Sequence, residues 1–292
     1  MNSSAISNLP STSQLVKKYH LQANKSLGQN FIFDENFTNK IARCAGNLQD
    51  SLILEIGAGP GGLTRAILNA GARKVVAIEK DQKCLAALQE LQNFYGDRLE
   101  IISGDAIEFD EIGYLQRLKP HQKFTKFRII ANLPYNIGTV LLIKWLKLAD
   151  FIESMTLMLQ KEVVERITAK SGGKNFGRLA VMSNFVCETK MMFTVAPQVF
   201  TPPPKITSAI VSLLPLPIEQ RKIADLNFEN SFKKLEKLAA IAFNQRRKML
   251  KSSLKPIFAN CEELLVEAKI NPNQRPEGLT LAEFVNLASF LP

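Results

Sequence analysis

The glycine-rich turn that decides the fold reads Leu54-Glu55-Ile56-Gly57-Ala58-Gly59-Pro60-Gly61-Gly62-Leu63-Thr64. It follows the apolar run Leu52–Ile56 and opens a helical pattern over Leu63–Ala70. Three of its glycines, Gly57, Gly59 and Gly62, have the spacing G-x-G-x-x-G, which lets the backbone approach a ligand closely after a strand. The stretch therefore predicts a strand–turn–helix unit of a doubly wound sheet, with an adenosine-containing ligand at the turn.

Short apolar runs alternate with helical patterns on both sides of this turn. The strand candidates are Leu52–Ile56, Lys74–Glu79, Leu99–Ser103, Phe127–Ala131, Met155–Gln160 and, later, Ala209–Leu214. The helix candidates are Leu63–Ala70, Lys83–Asn93 and Thr139–Leu148. Continuous apolar strands that alternate with helices are typical of a parallel sheet covered on both faces. We therefore predict an α/β, Rossmann-like fold.

The alternation ends at Leu214-Pro215-Leu216-Pro217, which marks a domain boundary. Beyond it strand patterns are absent, and apolar residues recur at helical spacing, as in Phe232, Leu235, Leu238, Ala239, Ala242 and Phe243. The first residues are polar and resemble no secretory signal. The sequence thus predicts a disordered extension over residues 1–20, an α/β domain over 21–215 and a small all-helical domain over 216–292.

The composition narrows the possible functions. The chain has 37 Lys and Arg against 27 Asp and Glu, a net charge of +10, which favours a polyanionic partner such as nucleic acid. Its four cysteines are scattered and its two histidines lie in polar surroundings, so we expect no disulfide framework, metal site or Ser-His-Asp triad. No apolar stretch reaches the roughly 20 residues of a membrane span. We expect a metal-free cytoplasmic protein.

Acidic residues stand where the strands of such a sheet would end. Glu79 ends the second strand, where its carboxylate would accept hydrogen bonds from both ribose hydroxyls of a ligand. Asp105, after the third strand, would accept a hydrogen bond from an adenine amine or else cap a helix. Glu55 precedes the first glycine and suits a cationic group, such as the amino group of a methionine moiety. These acids favour S-adenosylmethionine, although the glycine turn alone would equally suit a nicotinamide dinucleotide.

The tetrapeptide Asn132-Leu133-Pro134-Tyr135 follows the fourth strand directly. The N6 amine of adenine is a poor nucleophile because its lone pair is delocalised into the ring. The Asn132 side-chain oxygen and the Leu133 carbonyl would accept its two hydrogens and aim the lone pair at a methyl sulfonium. Pro134 fixes the backbone, and Tyr135 offers a face on which an extruded base stacks. The motif predicts an adenine N6-methyltransferase; the alternative is a plain turn after a strand.

Several blocks together resemble the KsgA-type small-subunit ribosomal RNA adenine dimethylases (the RsmA family), from Lys25 to the C-terminus. Besides the glycine turn and Asn132–Tyr135, the matching blocks are Lys25–Phe31, Ile78–Asp81, Val199–Ile206 with Ser208-Ala209, Phe243–Lys248 and Arg275–Glu277. The resemblance implies a class I methyltransferase sheet and S-adenosylmethionine as methyl donor, without a metal. It also implies dimethylation of N6 of two adjacent adenines near the 3′ end of 16S rRNA, in the assembling 30S subunit, by a monomer that touches no membrane.

The family also implies a set of site residues. The implied cofactor contacts are Asn30, Ile32, Gly57, Glu79, Asp105 and Asn132. Phe200 would lie on the far side of the target base from Tyr135, although by its own pattern it is more simply a core aromatic. The basic cluster Arg246, Arg247 and Lys248 would contact RNA phosphates, or else form the solvated end of a helix.

Three alternatives stay open at this point. An erythromycin-resistance methylase, which modifies large-subunit RNA, shares the Asn-x-Pro-Tyr type of site, but the block Gln245–Lys248 and the ending Arg275–Glu277 favour the small-subunit enzyme. A NAD-dependent oxidoreductase would explain the glycine turn but not the Asn132–Tyr135 motif or the basic charge. A non-catalytic assembly factor on the same scaffold would not require the intact acceptor motif.

Overall fold

The structure, a computed structural model, describes residues 9–24, 27–118, 124–245 and 247–291. The strands are β1 (Phe31–Ile32), β2 (Leu52–Ile56), β3 (Lys74–Glu79), β4 (Leu99–Ser103), β5 (Phe127–Asn132), β6 (Ile152–Gln160), β7 (Cys187–Val195), β8 (Phe200–Thr201) and β9 (Ser208–Pro215). The helices are α1 (Thr12–Lys18), α2 (Glu35–Cys44), α3 (Gly62–Asn69), α4 (Gln82–Tyr95), α5 (Glu111–Leu118), α6 (Gly138–Lys147), α7 (Lys161–Ile167), α8 (Arg178–Val186), α9 (Phe228–Asn244), α10 (Leu250–Ser253), α11 (Cys261–Glu267) and α12 (Leu281–Ser289). Short 3₁₀ helices lie at Gly96–Arg98, Ala149–Phe151, Pro197–Val199, Ile218–Arg221 and Pro276–Gly278.

Seven strands form one sheet in the order β4-β3-β2-β5-β6-β9-β7. Strands β2 to β6 are parallel to their neighbours, and β9 runs antiparallel to β6. The chain proceeds from β2 outward to β4 and then returns to β5 on the other side of β2, so the strand order reverses between β2 and β5. Ligands of doubly wound sheets bind at such a reversal, outside the carboxyl ends of the strands. The predicted α/β fold is confirmed.

Each predicted strand overlaps an observed one because each contains an apolar run, although β6 begins at Ile152 rather than at Met155. All five residues of β2 are buried, for example, as expected of a central strand covered on both faces. Strand β7 was not predicted from the sequence, and its buried and more exposed residues alternate. This strand lies at one edge of the sheet and pairs with a single neighbouring strand. Polar residues are tolerated there, so its sequence lacks a continuous apolar run.

The sequence predicted disorder over the whole of residues 1–20, but part of this N-terminal extension forms a helix. Helix α1 begins at a capping box in which the Ser11 side chain accepts from the Gln14 backbone and the Gln14 side chain accepts from Ser11. Its residues Thr12 and Leu15 are buried. The prediction of disorder is therefore wrong for Thr12–Lys18, because this helix buries an apolar side chain. Residues 1–8 lie outside the described part of the chain.

The chain divides into two compact units whose bounds differ from the predicted domains. The first unit holds the described residues up to Lys144, together with Asp150–Lys161 and Met191–Leu213. The second holds Trp145–Ala149, Glu162–Lys190 and the residues from Leu214 onward. The break at Leu214 agrees with the predicted boundary, but residues 162–190 group with the C-terminal helices rather than with the α/β domain.

Within the second unit, α8 is held to the C-terminal helices by apolar packing and an ion pair. The rings of Phe176, Phe243 and Phe284 pack together, with 5.5 Å between the centroids of Phe243 and Phe284. Arg178, at the start of α8, pairs with Glu236 of α9 at 3.0 Å. These contacts explain why α8 belongs to this unit. Among the described residues beyond 216, the elements are all helical, as predicted.

Candidate active site

A cavity opens at the carboxyl ends of β2, β3 and β5, where the strand order reverses. Its lining includes the predicted cofactor contacts Asn30, Ile32, Gly57, Glu79, Asp105 and Asn132, together with Leu133, Pro134 and Tyr135 of the acceptor motif. Glu55 and the segment Leu27–Ile32, which we call the N-terminal strap, also line it. The structure therefore brings the predicted cofactor and acceptor residues to one place.

The glycine turn lines this cavity with three glycines, Gly57, Gly59 and Gly62. Gly57 and Gly59 have φ of 68° and 55°, a left-handed conformation that favours glycine. A Cβ on Gly62 would lie 2.9 Å from the Ile32 carbonyl oxygen, too close for any other residue. The backbone at this turn therefore has the glycine conformation that the sequence predicted, and its contact with a ligand stays a prediction.

Glu79 is 4% exposed and is held by two backbone amides. The amide of Gly59 donates to its Oε2 and the amide of Asp81 to its Oε1, each at 2.7 Å. Burial raises the pKa of Glu79, while the two amides oppose this shift. A carboxylate oxygen accepts more than one hydrogen bond, so Glu79 keeps capacity for two ligand hydroxyls.

Glu55 is a buried carboxyl group in the cavity lining. It is 1% exposed, and its Oε2 has no hydrogen-bond partner among the described residues. Burial raises the pKa of Glu55 to about 8. A buried polar atom without a partner is costly, and a cationic ligand group would satisfy it.

Asp105 lies in a turn after β4 and not at the start of a helix. Its Oδ2 accepts from Lys80 Nζ at 2.8 Å and its Oδ1 accepts from the Ile107 amide at 2.9 Å. The Lys80 hydrogen bond lowers the pKa of Asp105, which keeps it ionised as an acceptor. The next helix, α5, begins only at Glu111, so the helix-cap interpretation of Asp105 is wrong.

The acceptor motif presents two oxygens that are free to accept hydrogen bonds. Asn132 Nδ2 donates to the Asn30 carbonyl at 3.2 Å, which leaves Oδ1 as the available end of the amide. Among the residues that the structure describes, no donor reaches Asn132 Oδ1 or the Leu133 carbonyl. The Leu133 amide donates to Met158 O at 3.2 Å, and Pro134 O accepts from the amides of Ile137 and Gly138. These backbone contacts hold the loop in place.

Tyr135 is partly buried and is fixed by its hydroxyl. The hydroxyl shares a 2.7 Å hydrogen bond with Ser208 Oγ, and Ser208, the first residue of β9, is fully buried. Burial raises the pKa of the Tyr135 hydroxyl, so the ring stays neutral. A ring held in this way keeps its orientation before a base arrives.

Other predicted site residues lie elsewhere or outside the description. Phe200 is 2% exposed, belongs to the hydrophobic core and does not line the cavity. Its contact with a target base stays a prediction. Arg247 and Lys248 are exposed after α9, in the second unit, and Arg246 lies outside the described residues. Their contact with RNA also stays a prediction.

Three polar residues without an assigned role contact the site. Gln29 Nε2 donates to Asp81 Oδ2 at 2.9 Å, next to the ribose-binding candidate Glu79. Lys144 Nζ donates to the carbonyls of residues 106, 107 and 109 in the turn that carries Asp105. Ser208 holds Tyr135. The sequence pointed to Lys144, because it is one of two cations in a largely apolar helical run.

In the described part of the chain, no group of three or more His, Cys, Asp and Glu side chains is arranged to hold a metal ion. No helix within those residues is long and apolar enough to cross a membrane.

Comparison with known proteins points to one family. The family model for ribosomal RNA adenine dimethylase matches residues 20–292. Ribosomal RNA small subunit methyltransferase A of Ruegeria sp. (strain TM1040) is 47% identical over 291 residues, covering 99% of each chain. The protein of the same name from Rhizobium johnstonii is 47% identical and covers 98% of this chain and 99% of its own.

Solved structures agree with this match. A dimethyladenosine transferase from Plasmodium falciparum superposes with a TM-score of 0.69 at 26% identity, covering 88% of this chain and 95% of its own. The 23S rRNA methyltransferase ErmE superposes with a TM-score of 0.65 at 22% identity, covering 90% of this chain and 99% of its own, which shows a shared fold.

Proposed function

Because this chain belongs to the ribosomal RNA adenine dimethylase family, we propose that it dimethylates N6 of two adjacent adenines near the 3′ end of 16S rRNA, using S-adenosylmethionine. The family makes the chain an RNA methyltransferase. The observation that carries the finer proposal is the pair of unoccupied acceptors, Asn132 Oδ1 and the Leu133 carbonyl, in a cavity lined by cofactor-type residues.

The two acceptors match the two hydrogens of an adenine amine. If the Asn132 side-chain amide rotated by 180°, Oδ1 would face the Asn30 carbonyl oxygen and repel it. The observed orientation is therefore favoured, and Oδ1 stays available to the substrate. Hydrogen bonds from N6 to Oδ1 and to the Leu133 carbonyl draw the nitrogen toward tetrahedral geometry and localise its lone pair. The methylated nitrogen then carries a positive charge and loses its proton readily, so positioning makes the main contribution.

The cavity residues fit S-adenosylmethionine. When bound, this cofactor supplies an electrophilic methyl group on a sulfonium. Glu79 has capacity for both ribose hydroxyls, and Asp105, which lines the same cavity, is an ionised acceptor that suits the adenine amine. Glu55 has an unpartnered buried oxygen that suits the cationic amino group of the methionine part. The side-chain-free turn at Gly57 and Gly59 leaves space for close approach.

The RNA side of the proposal rests on Tyr135 and on charge. The Tyr135 ring, held by Ser208, offers a stacking face to an adenine that has left its helix. The net charge of +10 favours a large polyanion. We infer that the substrate is the assembling 30S subunit in the cytoplasm and that the enzyme works on it as a monomer.

The test is to incubate the purified protein with isotope-labelled S-adenosylmethionine and unmodified small subunits, with large-subunit RNA in parallel. Nucleosides are then analysed by mass spectrometry. We expect labelled N6,N6-dimethyladenosine from the small subunit alone. Label only in large-subunit RNA would assign the chain to the resistance methylases. Cofactor binding without label in either RNA would indicate a scaffold that lacks methyl transfer.

A further inference from the structure

We propose that Gln29 is a positioning residue: it latches the N-terminal strap over the cavity and thereby holds Asn132 in its reactive orientation. This inference rests on the proposed function of Asn132. Gln29 is not among the expected cofactor or acceptor residues, yet its side chain joins the strap to the end of β3.

Both ends of the Gln29 amide are engaged. Its Nε2 donates to Asp81 Oδ2 at 2.9 Å, and its Oε1 accepts from the Asn24 amide at 2.8 Å. The backbone N–H of Gln29 also donates to the Asn24 backbone carbonyl at 3.2 Å. The hydrogen bond to Asp81 is charge-assisted, and such bonds are stronger than neutral ones. These hydrogen bonds define the orientation of the Gln29 side chain, which holds the N-terminal part of the strap in place.

Asp81 is a rigid anchor for this latch. Its Oδ1 caps α4 by accepting from the Lys83 amide at 3.0 Å. Its backbone amide donates to Glu79 Oε1 at 2.7 Å. The C-terminal end of the strap is fixed independently, because Phe31 and Ile32 form β1 and pair with β8. Only the N-terminal part of the strap depends on the Gln29 side chain.

The residue after Gln29 orients the acceptor. The Asn30 carbonyl accepts from Asn132 Nδ2 at 3.2 Å and so selects the amide orientation that presents Oδ1. Gly28, on the other side, has φ of 65°, and a Cβ there would lie 3.2 Å from Asn136 Oδ1, so the strap packs closely on the acceptor loop. A shift at Gln29 would therefore move the Asn30 carbonyl and release the Asn132 amide.

The latch predicts two linked defects. The strap lines the cofactor cavity, so a loosened strap should weaken S-adenosylmethionine binding. It should also lower kcat at saturating cofactor, because Asn132 would no longer be held. A residue with a merely structural role would lower the melting temperature without this combined change.

The experiment reverses the direction of the hydrogen bond between Gln29 and Asp81 by exchanging the donor and the acceptor. Gln29→Glu places a second carboxylate against Asp81 and should raise the cofactor Kd and lower kcat, each roughly tenfold, the factor expected for a lost hydrogen bond to a charged group. Adding Asp81→Asn restores a donor, since Asn caps a helix as well as Asp and its Nδ2 can donate to the new carboxylate. The double variant should return to within about threefold of the wild type.

Two further variants keep the test specific. Gln29→Met removes the hydrogen bonds without adding charge; it should show the same defects, and Asp81→Asn should not repair it. Gln89→Glu adds the same charge on the exposed face of α4 and should leave both constants unchanged. Wild-type binding and kcat in Gln29→Glu, or no repair by Asp81→Asn, would overturn the latch. Absence of dimethyladenosine with the wild-type protein would instead contradict the proposed function, and cofactor Kd would still report on the latch.

Discussion

At the scale of single residues, the proposed mechanism requires that the Oδ1 end of the Asn132 amide face the substrate. Asn132→Ala removes the Oδ1 acceptor and should lower the rate of methyl transfer by about a hundredfold or more, a loss typical of removing one preorganised hydrogen-bonding group. Cofactor binding should be largely retained, since Glu55, Glu79 and Asp105 are unchanged. Single-turnover transfer of labelled methyl and calorimetric binding measure the two effects separately.

Asn132→Asp refines this experiment. The variant keeps one acceptor oxygen but places a second against the Asn30 carbonyl, which it should repel. We expect it to be nearly as slow as Asn132→Ala, because the orientation of the group is lost. Normal turnover in Asn132→Ala would contradict the amine-activation mechanism, and normal turnover in Asn132→Asp would contradict the role of the Asn30 carbonyl.

The buried carboxyl group of Glu55 makes the stability of the cofactor-free protein depend on pH. In the folded chain the pKa of Glu55 is about 8, against an ordinary value of 4.5. The folded state therefore binds more protons than the unfolded state between these values, and it loses stability as the pH rises through them. Glu55→Gln cannot ionise, so it should become more stable than the wild type toward high pH, by up to about 5 kcal/mol.

The measurement is urea unfolding of both proteins without cofactor, from about pH 5 to about pH 9. The difference in the free energy of unfolding should grow steadily with pH. Glu188→Gln, at an exposed position, serves as the control and should show no such trend. A constant difference between wild type and Glu55→Gln would mean that Glu55 is ionised in the folded protein throughout this range.

The proposal for Asn132–Tyr135 could be made from the sequence because the chemistry it invokes is local. Asn132 and Leu133 are adjacent, and a single strand end presents both. The contacts of Gln29 and Ser208 were not predictable in this way, because each joins residues far apart along the chain: Gln29 bonds to Asp81, and Ser208 bonds to Tyr135. Only the folded structure brings these partners within hydrogen-bond distance.

At the scale of elements, the turn between β4 and α5 is held by one cation from α6. Lys144 Nζ donates to the carbonyls of Ala106, Ile107 and Phe109 at 3.1, 3.2 and 2.5 Å, and pairs with Glu111 at 2.9 Å. This turn carries Asp105 but neither acceptor oxygen. Lys144→Met should therefore raise the cofactor Kd roughly tenfold, the factor expected for a lost charge-assisted hydrogen bond, while kcat at saturating cofactor changes little.

Equilibrium binding and steady-state kinetics check this split. Lys147→Met, on the same helix and half-exposed, is the matched control and should leave the cofactor Kd unchanged. In an Asp105→Ala background, Lys144→Met should have little further effect, because residues that act through one contact are not additive. An equal, independent loss in that background would mean that Lys144 does not act through Asp105.

The elements that sequence analysis missed share a physical reason. Strand β7 and helix α1 are short of continuous apolar residues, so their patterns resemble solvent-exposed chain. The capping box at Ser11 and Gln14 was the available signal for α1. The inner strands β2, β3, β5 and β6, by contrast, are largely buried, and the predicted apolar runs cover most of their residues.

At the scale of the whole molecule, the positive charge is shared along the chain rather than concentrated in one arm. Residues 216–292 hold twelve Lys and Arg against nine Asp and Glu, a balance of +3 out of the total of +10. Phosphate contacts are therefore expected from both compact units. Such contacts give affinity that falls with salt but carry no sequence information. Selection of two particular adenines must then depend on the shape of the assembling subunit and on the Asn132–Tyr135 pocket.

The densest basic cluster provides the last prediction. Arg247 and Lys248 are exposed after α9, and neither pairs with a carboxylate of the residues that the structure describes. Replacing both by Ala should weaken binding to small subunits and lower the slope of log affinity against log salt by about one to two, since each phosphate contact contributes slightly less than one. Lys222→Ala with Lys255→Ala removes the same charge from exposed positions of the same unit and is the control. Arg246, outside the described residues, would be added as a third substitution. An equal change of slope in both pairs would show that net charge rather than this cluster governs affinity, and an unchanged slope would place the RNA path elsewhere.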